Sequence, residues 1–262
     1  KDIHQVWSLI RKGIRTDEPA PAGHYLGCKH IMSERKDPES GDPIRVMTYD
    51  MSEFLDASVK LYLDIAKCDE SRLRKVPTPF LADSTEERDS SFAPTGSPQE
   101  PESSGELQPI AARILMKLLY AARMARYDLL RAICGLACEV TRWNSSCDKR
   151  LHRLMCYVHY HKHITLVGWV GDPVSSLNLG LWVDADFAGC LKTSRSTSGT
   201  FIALTGPRTR FPLAGGSKKQ TCVSHSTPEA EIVAADHGIR TEGLPGLQLW
   251  DTLANRPVEL HI

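Results

Sequence analysis

In the run LWVDADFAGC, Asp184 and Asp186 stand one residue apart behind an apolar stretch. Residues i and i+2 of a β-strand share a face, so the two carboxylates are expected to project together from a strand end. Carboxylates placed this way repel one another. The arrangement is tolerated on a solvated strand end and is useful where the pair, or one of them with a third acid, must hold a divalent cation. A third acid, Glu231, lies in STPEAEIVAADHGIR. There Ser226 or Thr227 suits an N-cap, Pro228 a first helical turn, and Glu229 and Glu231 the positive end of the helix dipole. Strands packed under that helix could bring Asp184 and Glu231 to one spot, as two-metal phosphodiester hydrolysis requires. The alternative is that Asp184 ends a strand and Glu231 complements a dipole.

Other chemistry-bearing groups point less sharply. HYHKH sets His159, His161 and His163 two apart. On a strand they would share a face, as a zinc site requires, but a chance cluster is the preferred reading. Eight cysteines form no CxxC pair and are read as free thiols of a reducing compartment. Cys134 and Cys138, four apart on an expected helix, fit packing better than metal binding. The Asn144-Ser145-Ser146 sequon is read as chance. No signal peptide opens the sequence and no run of about 18 apolar residues occurs, so neither secretion nor a membrane span is expected. The expected location is intracellular, in cytoplasm or nucleus.

The composition is that of a globular chain, 41% hydrophobic and 24% charged over 262 residues. Its formal net charge of +0 argues against a partner made of phosphates, but the average conceals a split. Between Asp83 and Glu106 seven acidic residues face one basic residue, Arg88, and the remainder carries 31 basic against 25 acidic residues. That acidic stretch, rich in Ser and Pro with Phe92 as its one aromatic, reads as a flexible linker over 83–108.

The positioning elements follow from periodicity. Ile3, Val6, Trp7 and Ile10 predict a short helix. HYLGCKHIMSE and IRVMTYD, around RKDPESGDP, predict a β-hairpin, and Leu55, Val59, Tyr62 and Ala66 a capped helix over 51–66. Helices are expected over 110–124, 128–141 and 148–159. After Gly171-Asp172-Pro173 the texture turns to strands. Leu177, Leu179, Leu181 and Val183 alternate with polar or small residues, which puts Asp184 on the face opposite the leucines. SGTFIALTG, RFPLAG and QTCVS are further strand candidates, followed by a helix over 228–240.

VDADFAGCLKTSRSTSGTFIAL and AGGSKKQTCVSHSTPEAEIVAAD resemble the ribonuclease H domain of copia-type LTR-retrotransposon Pol polyproteins. The family pattern runs Asp-x-Asp-x-Ala-Gly, Arg-Ser-Thr-Ser-Gly, Ser-Lys-Lys-Gln and Ser-x-x-Glu-Ala-Glu, in this order. YLGC at 25–28 and TPFL at 78–81 resemble the stretch after the polymerase active site, and LMKLLYAARMARYDLLRAICGLACEV the helical bridge between polymerase and nuclease.

The resemblance implies an α/β chain: a ribonuclease H-like mixed sheet with a helix, incomplete, preceded by a mainly helical thumb or connection region and a β-hairpin plus helix. The implied divisions are a reverse transcriptase-like region to residue 82, the linker at 83–108, a helical connection at 109–170 and the nuclease-like domain from 171. It implies Mg²⁺ or Mn²⁺ held by Asp184 and Glu231 as catalytic carboxylates, with Asp186 a reserve ligand. Arg195 and Ser196, in the motif with Thr197 and Ser198, and Lys218 and Lys219 would meet nucleic acid or, for the motif, form a tight turn. The parent activity hydrolyses RNA in RNA/DNA hybrids, and the implied partners are the hybrid and the rest of the polyprotein, with no membrane.

The sequence also departs from the family. It has no polymerase aspartate pair and no later nuclease carboxylates after RPVELHI, which looks like the next strand, and Asp236 and Asp251 do not occupy the family's positions. A fragment or decayed copy is therefore expected, with poor Mg²⁺ affinity and hydrolysis. The alternative is a non-catalytic remnant acting at most as a nucleic-acid or partner-binding module.

Overall fold

The computed structural model describes residues 3–18, 23–81, 104–190 and 192–262, with side chains from Trp7 onward. Helix α1 (Ile3–Gly13) is followed by an antiparallel meander of β1 (His24–Tyr25), β2 (Cys28–Lys36) and β3 (Pro43–Asp50). Asp37 builds the β2–β3 turn: its Oδ1 accepts from the backbone N–H of Glu39 at 2.9 Å, and Gly41 takes the left-handed φ of 77° that the turn requires. Asp50 closes β3 and accepts from the backbone N–H of Ser52 at 2.8 Å, opening α2 (Ser52–Ile65).

Helices α3 (Gln108–Ala125), α4 (Leu130–Ala137) and α5 (Ser145–His161) follow the expected periodicity. Ile114, Leu118, Ile133, Leu136, Leu151, Leu154 and Met155 pack with Leu55, Val59 and Tyr62 of α2 in one core. The middle helix is shorter than expected and is flanked by 3-10 turns at Tyr127–Leu129 and Val140–Arg142. Arg126 fixes the corner before it. Fully buried, it donates from Nε and Nη2 to the Asp128 carboxylate at 2.9 and 2.7 Å and from Nη1 to the His161 carbonyl at 2.9 Å. Most of the expected linker, residues 82–103, lies outside the described residues. Its last residues are docked, since the backbone N–H groups of Glu106 and Leu107 donate to the Asp148 carboxylate at 2.7 and 3.2 Å.

The largest difference from the sequence reading is β4 (Leu166–Val170), inside the stretch expected to be helical. It is a short apolar run without alternation, which periodicity alone cannot assign. β4 pairs with β3 on one side and with β7 (Thr209–Lys219) on the other. With β5 (Asn178–Cys190), β6 (Arg195–Gly206) and β8 (Leu260–His261), the described strands form one sheet in the order β1-β2-β3-β4-β7-β6-β5-β8. The sheet thus runs straight across the division expected at 170. QTCVS adds no strand, because β7 ends at Lys219. After β7, α6 (Thr227–Gly238), a π-helical turn (Ile239–Gly243) and α7 (Leu244–Ala254) cross over to β8, which lies parallel to β5. Leu177, Leu179, Leu181, Ile202, Leu204 and Val258 form the second core beneath that crossover. No described helix is long and apolar enough to cross a membrane.

The β4–β7 ladder is two residue pairs long, Trp169–Arg210 and Val170–Thr209, and just beyond it the Gly171 N–H donates to the Arg208 carbonyl at 3.1 Å. Arg208, in the β6–β7 turn, reinforces this seam. Its backbone N–H donates to Asp172 Oδ2 at 2.7 Å, its Nε lies 3.6 Å from Asp172 Oδ1, and its Nη1 reaches Asp42 of the first hairpin at 2.6 Å. The Thr209 hydroxyl accepts from the backbone N–H groups of Gly171 and Asp172, each at 3.2 Å. The Asp172 side chain is only 6% exposed, whereas that of Asp42 is 59% exposed. Removing the first carboxylate leaves the half-buried Arg208 N–H unmet; removing the second costs only a solvated ion pair. Asp172→Ala is therefore expected to destabilise the chain by about 1–3 kcal/mol in urea unfolding, and Asp42→Ala by less than about 1 kcal/mol.

A second ion-pair cluster ties α5 to α2. Lys162 and Lys60 both donate to Asp56, and these hydrogen bonds hold its carboxyl down at about 2. A carboxyl depressed in the folded state contributes stability above its unfolded pKa and loses it as pH falls through the folded value. Stability should therefore decline between roughly pH 4 and pH 2, and Asp56→Asn should flatten that decline in acid titrations followed by circular dichroism.

Candidate functional site

The acids singled out in the sequence lie on β5 and α6. Asp184 is not at the end of its strand: β5 continues to Cys190, with Asp184 opposite Gly199 and Asp186 opposite Thr197 of β6. The expected alternation holds. Leu179 and Leu181 are buried in the second core, Ala185 packs with Ala230 and Ala234 of α6, and Asp184 and Asp186 are exposed. Because Ala185 faces α6, period-2 geometry sends Asp184 and Asp186 to the other face of the sheet. On that face Trp182 packs against Phe201, and the Arg131 guanidinium of α4 lies 3.4 Å from Asp186 Oδ2. Asp186 also folds over its own chain. A Cβ added at Gly189 would lie 2.0 Å from Asp186 Oδ2, so any larger residue at the irregularity between Asp186 and Cys190 would displace the Asp186 carboxylate.

The helix start matches its sequence signature. Ser226 caps α6, its hydroxyl accepting from the Glu229 N–H at 3.3 Å, and the Glu229 carboxylate accepts from the His225 N–H at 2.8 Å. Glu229 is thus engaged in capping. Glu231, one turn in, is half-buried beside Ala230. Small residues let α6 lie close to the sheet: Ala230 and Ala234 meet Ala185, and a Cβ at Gly238 would come within 2.6 Å of Val183 Cγ1.

The residues expected to meet nucleic acid separate into two kinds. Ser196 is fully buried, and its hydroxyl accepts from the Ala188 N–H at 3.1 Å, so it supports the turn rather than offering a surface. Thr197 and Ser198 are buried as well. Arg195 is exposed at the start of β6. Lys218 and Lys219 pair with Ser198 and Thr197 respectively and therefore point to opposite faces. Lys218 is on the α6 side, where burial first and its charge second hold the His237 imidazole below its ordinary value. Lys219 is on the Asp186 side and donates to Cys190 Sγ at 2.8 Å.

Comparison with known families, curated proteins and solved structures gives no significant match. The site is therefore read from its own geometry. Among the described residues, no three His, Cys, Asp or Glu side chains gather as a metal site. Asp184 lies on the face of β5 away from α6, the helix that carries Glu231, and Asp186 is engaged by Arg131. Of the three histidines, the His161 and His163 rings lie 6.5 Å apart, and the three do not gather as a metal site. His159 and His161 lie within α5, not on a strand, where a spacing of two sends side chains to different sides. His161 Nδ1 hydrogen-bonds the Tyr157 carbonyl at 3.0 Å, and His159 lies 3.6 Å from Glu70.

Sequence reasoning missed Gln220, which follows the two lysines and is buried. Its Nε2 donates to Ser198 Oγ at 3.1 Å and to the Ala230 carbonyl at 2.9 Å, and its Oε1 accepts from Ser224 Oγ at 3.4 Å. One amide thus joins the end of β7, β6, the loop and the first turn of α6. A polar residue closing the Ser-Lys-Lys-Gln block was the available signal. Gln220→Leu leaves several buried polar atoms unmet and is expected to cost about 1–3 kcal/mol. Amide hydrogen exchange should quicken in the first turn of α6 before it does in β5 or β6.

Proposed function

We propose that this chain derives from a copia-type retrotransposon Pol polyprotein and that its ribonuclease H-like half acts as a nucleic-acid duplex-binding module without a complete hydrolytic site. The motif blocks support the origin. So does the order β7-β6-β5-β8, in which three antiparallel strands are followed by a helical crossover to a fourth strand parallel to the first. The observation that carries the non-hydrolytic reading is the placement of Asp184 on the face away from α6, with no third acid assembled beside it among the described residues.

Binding is supported by the basic surplus outside the acidic 83–106 stretch and by exposed Arg195 and Lys218 at one end of the sheet. RNA/DNA hybrid is the ligand proposed, gripped through backbone phosphates and shape rather than base sequence.

Fluorescence anisotropy with a labelled hybrid tests this directly. Affinity should fall roughly tenfold between about 50 and 200 mM salt, as expected for about two phosphate contacts. Arg195→Ala combined with Lys218→Ala should reduce both affinity and salt slope, and Asp184→Asn should leave binding intact. Incubation of the same hybrid with Mg²⁺ should yield no cut RNA. Cleavage that disappears in Asp184→Asn would return the chain to the enzymes.

A further inference from the structure

The contact between Lys219 and Cys190 serves neither the binding reading nor the fold's cores. Cys190 closes β5 and is half-buried, and its carbonyl accepts from the N–H groups of Thr193 and Ser194 at 3.1 and 2.7 Å, which fixes the turn into β6. Lys219, carried alongside by β7, donates to the sulfur at 2.8 Å.

The other cysteines differ. Cys28, Cys134 and Cys156 have thiols pushed up by burial. Cys147 is buried, Cys68 donates to the Asp69 carbonyl, and Cys138 and Cys222 are exposed. Burial also raises the Cys190 thiol, but the hydrogen bonds from Lys219 and Thr193 outweigh it and leave the group below its ordinary value.

We propose that Cys190 and Lys219 form a peroxide-reactive pair, in which the Cys190 thiolate attacks hydrogen peroxide and Lys219 supplies the proton needed by the departing oxygen. The S–O bond forms as the O–O bond breaks. Sulfur gives up two electrons and the peroxide takes them. The leaving oxygen departs as water with the Lys219 proton, so that thiolate, ammonium and peroxide become sulfenic acid, amine and water. The site is independent of the nucleic-acid reading.

The test is limited peroxide exposure of the full chain in the presence of dimedone, with peptide mass spectrometry to locate and time the adducts. Cys190 should be labelled first, ahead of the more exposed Cys138 and Cys222. Lys219→Met should slow its labelling by about tenfold, while Lys219→Arg, which keeps a cation beside the sulfur, should retain most of the rate. Earlier labelling of Cys138 or Cys222 in the unmodified chain would overturn the proposal, as would undiminished Cys190 labelling in Lys219→Met. The order of labelling is read without any variant, so it decides the matter even if Lys219→Met fails to fold.

Discussion

The seam between β4 and β7 is the constraint on which the rest of the structure depends. Two residue pairs join the half-sheet built on the first hairpin to the half-sheet carrying the acids. So short a ladder is reinforced by Arg208, Asp172 and Thr209, which convert the adjoining turns into hydrogen-bonded partners. Every one of those groups lies in a turn or at a strand end, where backbone donors would otherwise go unmet. Gly206 marks the crowding, since a Cβ there would sit 2.6 Å from Asp172 Oδ2. The helical core of α2–α5 and the smaller core under α6 and α7 are thereby held on a common sheet.

On the second half, close packing sets the chemistry. Alanines at 185, 230 and 234 and the glycine at 238 bring α6 against β5 and β6. That closeness commits the odd-numbered residues of β5 to the helix side and the even-numbered ones to the opposite face. The same alternation that makes Leu179 and Leu181 a core exposes Asp184 and Asp186. Gln220 locks the arrangement by engaging both its amide hydrogens and its carbonyl oxygen with three neighbours.

Motif residues that look like surface chemistry turn out to be largely architectural. The hydroxyls of Ser196 and Ser198 satisfy Ala188 and Gln220, and Asp186 covers Gly189 while meeting Arg131. Two consecutive lysines end up in different environments, one near His237 and one on a sulfur. Cations left at the end of the sheet can meet phosphates, whereas the acids nearby have no assembled partner set among the described residues.

Periodicity and capping residues determined the local elements: the β2–β3 hairpin around Asp37, the helix opened by Asp50, the Ser226–Glu229 cap, and the outward face of Asp184. Each is fixed by interactions between residues a few positions apart, which a linear pattern records. β4 was not legible, because a five-residue apolar run has no period of its own and becomes a strand only when β3 and β7 flank it. Nor was the sidedness of Asp184 relative to α6, the burial of Ser196, or the Lys219–Cys190 contact. Those depend on strand register and on the face to which a helix docks, and they are set by residues far apart in the chain that only tertiary packing brings together.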